Sequence, residues 1–313
     1  MKIIFFGLGS IGQRHARILL KRKGYELFAF RTGLSDAPPV DFPIGNLTSW
    51  DEIDALKPDI AFITNPTALH IPTAIACAKR GMALFIEKPL GSSTEDLDEL
   101  LSVVKHKKVS SYVAYLLRFS PVILKIKELI DAERFLHMQI EAGSFFPSWR
   151  PGRDHFKSYS ASKELGGGIL LDLSHELDYV HFLLGGIEHI EGQCGRKSNV
   201  TVDSDDYADM LVSAVKGTAN IHLSYFSHMN QRSIKVDLVG QTIMADLLTG
   251  TVQCYKNKTL AQEFHFESSA DLLMEKQMDY FFDHVHQGRM MNDVFEAQEL
   301  FRKICDFREK AYA

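Results

Sequence analysis

Lys2-Ile3-Ile4-Phe5-Phe6-Gly7-Leu8-Gly9-Ser10-Ile11-Gly12 stands at the head of the chain, and the order of its parts decides the fold. The first five residues read as a buried strand, the glycines as a turn, and the stretch from Ser10 to Leu20 as a helix. Strand, glycine turn and helix in that order build a seat for a pyrophosphate. Gly7 permits the tight turn, Gly9 lets the backbone approach the phosphates, and Gly12 lets helix and strand pack closely. Leu8, Ser10 and Ile11 complete the turn, and the free N–H groups at the helix N-terminus face the anion. The same letters also occur in a purely structural glycine turn, or in a fold holding another adenosine ligand such as a methyl donor. With a strand before it and a helix behind it, the motif reads as a dinucleotide site.

Working outward, residues 25–30, 59–64, 83–86 and 109–116 read as further short strands. Between them fall helices at 50–56, at 71–80 with Gly81 as C-cap, and at 94–106 with Thr94 as N-cap. That alternation predicts a doubly wound parallel sheet. Near Arg118 the period changes. Leu136-Met138-Ile140-Ala142, Ala219-Ile221-Leu223-Tyr225 and Ile234-Val236-Leu238 each alternate with polar residues, as half-buried strands of a mainly antiparallel sheet do. Helices at 272–287 and 292–310 close the chain. The fold class is therefore α/β: a Rossmann domain over residues 1–118, then an α+β domain with an open, mainly antiparallel sheet over 119–313, whose last helix could pack on the first domain.

The length of 313 residues exceeds one ordinary core, in keeping with two domains, and 45% hydrophobic with 24% charged residues is the composition of a soluble globular enzyme. A net charge of -5 leaves no basic field for nucleic acid. Cys77, Cys194, Cys254 and Cys305 are too far apart for a small metal or disulfide scaffold and read as buried free thiols. No apolar stretch approaches the length of a membrane span, and the N-terminus reads as a folded strand rather than a leader, so no membrane partner and a cytoplasmic location are expected.

Where NAD-binding folds usually end the second strand in an acidic residue, this chain has Phe30-Arg31-Thr32-Gly33. The guanidinium of Arg31 suits a 2′-phosphate and Thr32 can add a hydrogen bond, which favours NADP over NAD. The alternative is that Arg31 stacks on adenine or lies in solvent. Lys88, in Glu87-Lys88-Pro89, follows a predicted strand at the sheet edge where such folds hold ligands. A lysine there, beside an oxidised nicotinamide, is suited to proton transfer; read without that context it is a solvated surface charge. A second cluster runs Gly166-Gly167-Gly168, then Asp172 and His175 three residues apart on one predicted helix face, with Asp178 beyond. The pair fits either proton exchange with a hydroxyl or a helix-stabilising ion pair. No second well-spaced His or Cys supports a metal, so none is expected.

Together these motifs resemble the glucose–fructose oxidoreductase / inositol dehydrogenase / MocA family of nicotinamide-dependent sugar dehydrogenases, over nearly the whole length. The resemblance rests on Gly7 to Gly12, on Glu87-Lys88-Pro89, and on the Gly166 to His175 segment. Thr64-Asn65-Pro66 with His70 resembles the family's cofactor-touching segment, and Arg118-Phe119-Ser120-Pro121 its domain junction. The resemblance implies a catalytic set of Lys88, Asp172 and His175, with cofactor contacts from Gly7 to Gly12, Arg31, Thr32, Thr64, Asn65, Pro66, His70, Glu87 and Lys88. It implies substrate contacts from Arg118, Trp149, Arg150, Arg153, Tyr159, Asp172 and His175, a group whose aromatic planes, guanidinium forks and hydroxyls suit a polyhydroxylated ring; for Trp149 to Tyr159 the alternative is a loop held by surface ion pairs. Many members place the aspartate four residues before the histidine rather than three, which leaves Asp178 as a second candidate partner. The implied activity is hydride transfer between the nicotinamide and a secondary hydroxyl or ketone of a sugar, cyclitol or nucleotide-sugar, by a homodimer or homotetramer. A non-catalytic cofactor-binding sensor and a nicotinamide-dependent glycosidase are the alternatives on the same scaffold.

Overall fold

A computed structural model describes residues 1–31, 40–149, 159–200, 202–288 and 290–312. The chain divides into two compact units, Met1–Ala114 with Met274–Phe301, and Tyr115–Leu273 with Arg302–Ala313.

In the first unit the order is β1 (Lys2–Phe6), α1 (Ser10–Leu20), β2 (Glu26–Phe30), β3 (Gly45–Leu47), α2 (Trp50–Leu56), β4 (Ile60–Ile63), α3 (His70–Lys79), β5 (Ala83–Glu87), α4 (Leu97–Lys107) and β6 (Ser111–Ala114). The strands are parallel in the order β3-β2-β1-β4-β5-β6, so the direction of winding reverses between β1 and β4. Ligands of open α/β sheets sit outside the carboxyl ends of the strands at such a reversal, and the glycine turn is there. Continuous apolar runs form these strands because helices cover both faces: Ile3, Phe5, Phe62, Phe85 and Ile86 are wholly buried. Helix α2 starts on a capping box between Ser49 and Glu52, and the amides of Thr48 and Ser49 hold the Glu52 carboxyl below its ordinary range.

One expectation needs correction in this unit. Helix α4 begins at Leu97, not Thr94: Asp96 is left-handed at φ 60°, and Thr94 only offers its carbonyl to the Leu97 amide at 3.2 Å. The buried face starts with Leu97 and Leu100, while Glu95 and Asp96 stay in solvent. The two units part at Tyr115, and Met274–Phe301 returns to the first of them. The reason is the edge of the sheet. Strand β6 would present unpaired groups, but Val113 donates to the Asn292 carbonyl at 2.9 Å, the Asn292 side chain donates to the Val113 carbonyl at 2.7 Å, and the Ser111 hydroxyl accepts from the Val294 amide at 3.2 Å. Phe281 meets Phe85 edge-on at 5.2 Å.

The second unit holds α5 (Pro121–Ala132), β7 (Phe135–Gly143), α6 (Ile169–Asp172), α7 (Ser174–Leu184), β8 (Ile187–Gly195), β9 (Tyr207–Ala214), β10 (Gly217–Ser224), β11 (Gln231–Leu238), β12 (Thr242–Asp246), β13 (Thr251–Lys256) and β14 (Thr259–His265). Its sheet runs β14-β13-β12-β11-β7-β10-β9-β8, antiparallel except for the β10–β7 pair. Met138, Ile140, Ile221, Leu223, Ile234 and Val236 form the buried face, against which α5 and α7 lie. The opposite face is polar and open, with a shallow concavity of about 660 Å³ among Gln139, Glu141, Asp209, Asn220, His222 and Lys235. Helices α8 (Ala270–His284) and α9 (Val294–Tyr312) end the chain. All four cysteines are buried and unbonded, and burial pushes the thiols of Cys194 and Cys305 up to about 12. No helix among the described residues is long and apolar enough to cross a membrane.

Candidate functional site

In the first unit the three glycines of the turn have different surroundings. Gly7 has φ +101°, and a Cβ there would lie 2.6 Å from the Asn65 amide nitrogen. A Cβ on Gly12 would collide with the Gly7 carbonyl oxygen. Gly9 is the exception: it is exposed and extended, and a Cβ on it would meet nothing within 4 Å among the described residues. The turn is thus closed toward the protein and open toward solvent at the N-terminus of α1, where Ser10 is exposed and Ile11 half-buried. Leu8 is buried, and its carbonyl accepts from the Gln13 side chain at 3.0 Å. Behind the turn, the Thr64 hydroxyl donates to the Gly7 carbonyl at 2.6 Å and the Asn65 amide donates to the Thr73 hydroxyl at 2.9 Å. Pro66 is exposed. These features fit a pyrophosphate-bearing cofactor: among the described residues, helix N–H groups with no side chain over them, and a braced wall.

His70 is 2% exposed, with Nδ1 2.8 Å from the Pro89 carbonyl and Nε2 3.0 Å from that of Asn65. It ties the end of β4 to the end of β5. Burial pulls its imidazole below the ordinary value, against the two carbonyl contacts, which favour the charged ring. Arg31 is half-buried after β2, its amide bonded to the Leu47 carbonyl at 2.8 Å; Thr32 lies outside the described residues. At the end of β5, Glu87 is 8% exposed, and its carboxylate lies 2.6 Å from His15 Nε2 and accepts from the Lys88 amide at 3.2 Å. Lys88 is half-buried, and the bond to Pro89 is cis.

In the second unit the glycine run faces protein. Gly168 has φ +121°, and a Cβ there would lie 2.5 and 2.7 Å from the Asp205 carboxylate oxygens and 2.8 Å from Arg308 Nη2. Asp205 caps α6 by accepting from the Leu170 amide at 2.9 Å, and Arg308 donates to Asp205 at 2.9 Å and to the Gly167 carbonyl at 2.6 Å. Sequence reading missed both residues. Asp205 and its neighbour Asp206 are wholly buried.

Asp172 and His175 do not share one continuous helix, contrary to expectation. Helix α6 stops at Asp172, Leu173 leaves helical geometry at φ −99°, ψ 30°, and α7 begins at Ser174. Asp172, 7% exposed, accepts from the Tyr225 hydroxyl at 2.5 Å. His175, also 7% exposed, stands edge-on to Tyr115 with ring centroids 5.4 Å apart. The Tyr115 hydroxyl donates to Ser174 at 3.2 Å, and burial followed by the Asp178 charge pushes its phenol well above the ordinary range. Tyr225 is stacked on Phe146 at 4.8 Å and meets Trp149 edge-on at 5.2 Å, while Trp149 donates to the Ser144 hydroxyl at 2.6 Å. The chain therefore gathers Asp172, Tyr225 and Trp149, although Tyr225 drew attention in the sequence only as a strand position.

Arg118 takes a different place from a ligand-facing one. It is 3% exposed, and its Nε and Nη2 grip Asp178 at 2.8 to 3.1 Å. That grip commits Asp178, the second candidate partner of His175, to a core ion pair. Glu176 is likewise buried and accepts from Arg232 Nε at 2.6 Å. Arg150, Arg153 and the side chain of Tyr159 lie outside the described residues.

Comparison with known proteins follows the same division. Residues 1–115 match the oxidoreductase family, NAD-binding Rossmann fold, of the GFO/IDH/MocA group, and residues 123–245 match the GFO/IDH/MocA C-terminal domain. The chain is 29% identical over 187 residues to the scyllo-inositol 2-dehydrogenase (NAD(+)) of Bacillus subtilis, covering 57% of this chain and 52% of that protein. It is 26% identical over 214 residues to an uncharacterized oxidoreductase of Streptococcus pneumoniae, covering 65% of this chain and 55% of that one. The matched part spans about half the length of these relatives. In fold, the chain is similar to levoglucosan dehydrogenase in complex with NADH, with a TM-score of 0.84 at 16% identity over 99% of this chain and 96% of that one.

Proposed function

The chain belongs to the GFO/IDH/MocA oxidoreductase family, and on that premise we propose that it is a nicotinamide-dependent dehydrogenase acting on a secondary hydroxyl or ketone of a sugar, cyclitol or nucleotide-linked sugar. The observation that carries the reading is the first turn, closed by Gly7 and Gly12 and open at Gly9. The nicotinamide supplies the hydride chemistry when bound. The N–H groups of Ser10, Ile11 and Gly12 hold its pyrophosphate, with Thr64, Asn65 and Pro66 as the wall beside them and His70 bracing that wall. Arg31, after β2, would suit the 2′-phosphate of an adenosine ribose, with Thr32 able to add a hydrogen bond, which favours NADP over NAD in this reading.

In oxidation, His175 takes the hydroxyl proton and Lys88 polarises the oxygen as it becomes a carbonyl; the roles of the two are exchangeable in this reading. Asp172, oriented by Tyr225, holds the charge that His175 gains. Trp149 offers a plane to the sugar ring, with Arg150, Arg153 and Tyr159 as polar contacts. Arg118 serves instead to hold Asp178 in the core. The open face of the eight-stranded sheet, with Leu211 47% and Met244 40% exposed among charged neighbours, is assigned to pairing with a second copy, as a homodimer or homotetramer. Four unbonded cysteines suit a reducing cytoplasm.

Titration with NADPH and NADH, followed by a panel of sugars and cyclitols read by nicotinamide absorbance, tests the function. Replacing Lys88 by methionine is expected to cut turnover by about a hundredfold or more while sparing cofactor affinity. Unchanged turnover removes Lys88 from the mechanism. A sensor binds cofactor and turns over nothing, and a transient-redox glycosidase releases sugar with no net absorbance change.

A further inference from the structure

Resting on the dehydrogenase reading, in which Lys88 acts at the substrate oxygen, we propose that His15 is a positioning residue for Lys88, acting through the carboxylate of Glu87. His15 lies on the inner face of α1 and is wholly buried, its ring edge-on to Phe62 and Phe85 at 5.8 and 5.1 Å. An apolar side chain would fill that place without the cost of desolvating an imidazole. What the imidazole adds is its contact at 2.6 Å with Glu87 Oε1. The other oxygen of the same carboxylate accepts from the Lys88 amide at 3.2 Å. Helix α1 thus reaches across the end of β5 and fixes the main chain from which the lysine springs. It is also the helix whose N-terminus forms the glycine turn, so one rigid element sets both the phosphate seat and the lysine.

The protonation of His15 follows from its other nitrogen. Nδ1 is buried and has no partner among the described residues. A proton there would be an unanswered donor, which leaves Nε2 as the nitrogen that donates to Glu87. Glu87 then accepts on both oxygens, from Nε2 of His15 and from the Lys88 amide.

Two amide variants separate this role from mere packing. His15→Gln carries an N–H near the place of Nε2, whereas the amide of His15→Asn is too short to reach Glu87. His15→Asn is expected to lower kcat by about tenfold or more, the scale of an ångström-level misplacement, with cofactor Kd within about twofold; His15→Gln is expected to recover kcat to within about threefold of wild type. A folded His15→Asn with wild-type kcat, or a His15→Gln no better than His15→Asn, overturns the proposal. Hydrogen exchange at the Lys88 amide reads the same link without turnover: protection in wild type and in His15→Gln, and exchange about tenfold faster in His15→Asn, support it, and equal rates overturn it. A wild type inert toward every sugar sinks the dehydrogenase reading alone, because the exchange measurement still decides the link. Should His15→Asn not fold, Glu87→Gln cuts the Lys88 side of the bridge. Faster Lys88 exchange with Nε2–H retained on His15, read by ¹⁵N NMR, supports the proposal, and unchanged exchange overturns it.

Discussion

Two glycine-rich segments, Gly7 to Gly12 and Gly166 to Gly168, each lead into a helix, and they put that position to opposite uses. In the first, the helix N-terminus is left open, with no atom of the described residues within 4 Å of a side chain imagined on Gly9. In the second, the comparable space is filled by Asp205, whose carboxylate caps α6 and pairs with Arg308. A helix N-terminus attracts an anion whether it arrives on a ligand or on the chain itself. The glycines show only that something comes close; the identity of the visitor is a property of the folded surroundings.

The largest effect expected from this contrast is in the second segment. Asp205→Ala leaves Arg308 buried without its carboxylate and α6 without its cap, and should cost about 3–5 kcal/mol of stability in urea unfolding. A loss under about 1 kcal/mol would mean the glycine run is not closed by this pair. In the first segment, Gly12→Ala gains helix propensity but drives a Cβ into the Gly7 carbonyl, a backbone atom that cannot turn aside. A net loss of about 1–3 kcal/mol is expected. Gly9→Ala sharpens the comparison further. It should leave unfolding free energy unchanged within about 0.5 kcal/mol, yet weaken NADPH binding by about tenfold, near 1.4 kcal/mol, in fluorescence titration. Equal cofactor affinity in that variant would contradict an open cradle.

The smallest effect concerns the wall behind the open turn. Burial lowers the pKa of His70 in the folded state relative to the unfolded chain. The stability contributed by the neutral ring is therefore present above the unfolded value of about 6.5 and is lost as pH falls through the folded one. Wild type should lose stability on acidification faster than His70→Gln does, by at most about 1.4 kcal/mol per pH unit. Parallel curves would show that the two carbonyl contacts cancel the effect of burial and leave the His70 pKa the same in the folded and unfolded chain.

Elements whose signals are local were legible. The strand, turn and helix of residues 2–20, the strands near 25–30, 59–64 and 83–86, and the alternating strands β7, β10 and β11 come within a few residues of their observed bounds. Helix α5, and strands β3, β8, β9, β12, β13 and β14, were not read, since short or irregular patterns acquire meaning only beside their partners. In the candidate site, spacing suggested Asp172 and His175 on one helix face, but the helix breaks at Leu173, and the Asp172 carboxylate accepts from Tyr225.

Period, glycine placement and charge along the chain were enough to determine the parallel-sheet unit, the phosphate-type turn at its first strand, and the family resemblance, because each depends on residues within about one helix or strand of each other. Only the tertiary structure decided the pairings across long stretches of sequence: Arg118 with Asp178, Arg308 with Asp205, Asn292 with Val113 on the sheet edge, and His15 with Glu87. A charged residue in a sequence carries its demand for a partner but not the partner's address. Burial makes that demand costly to leave unmet, and the fold alone determines which group meets it.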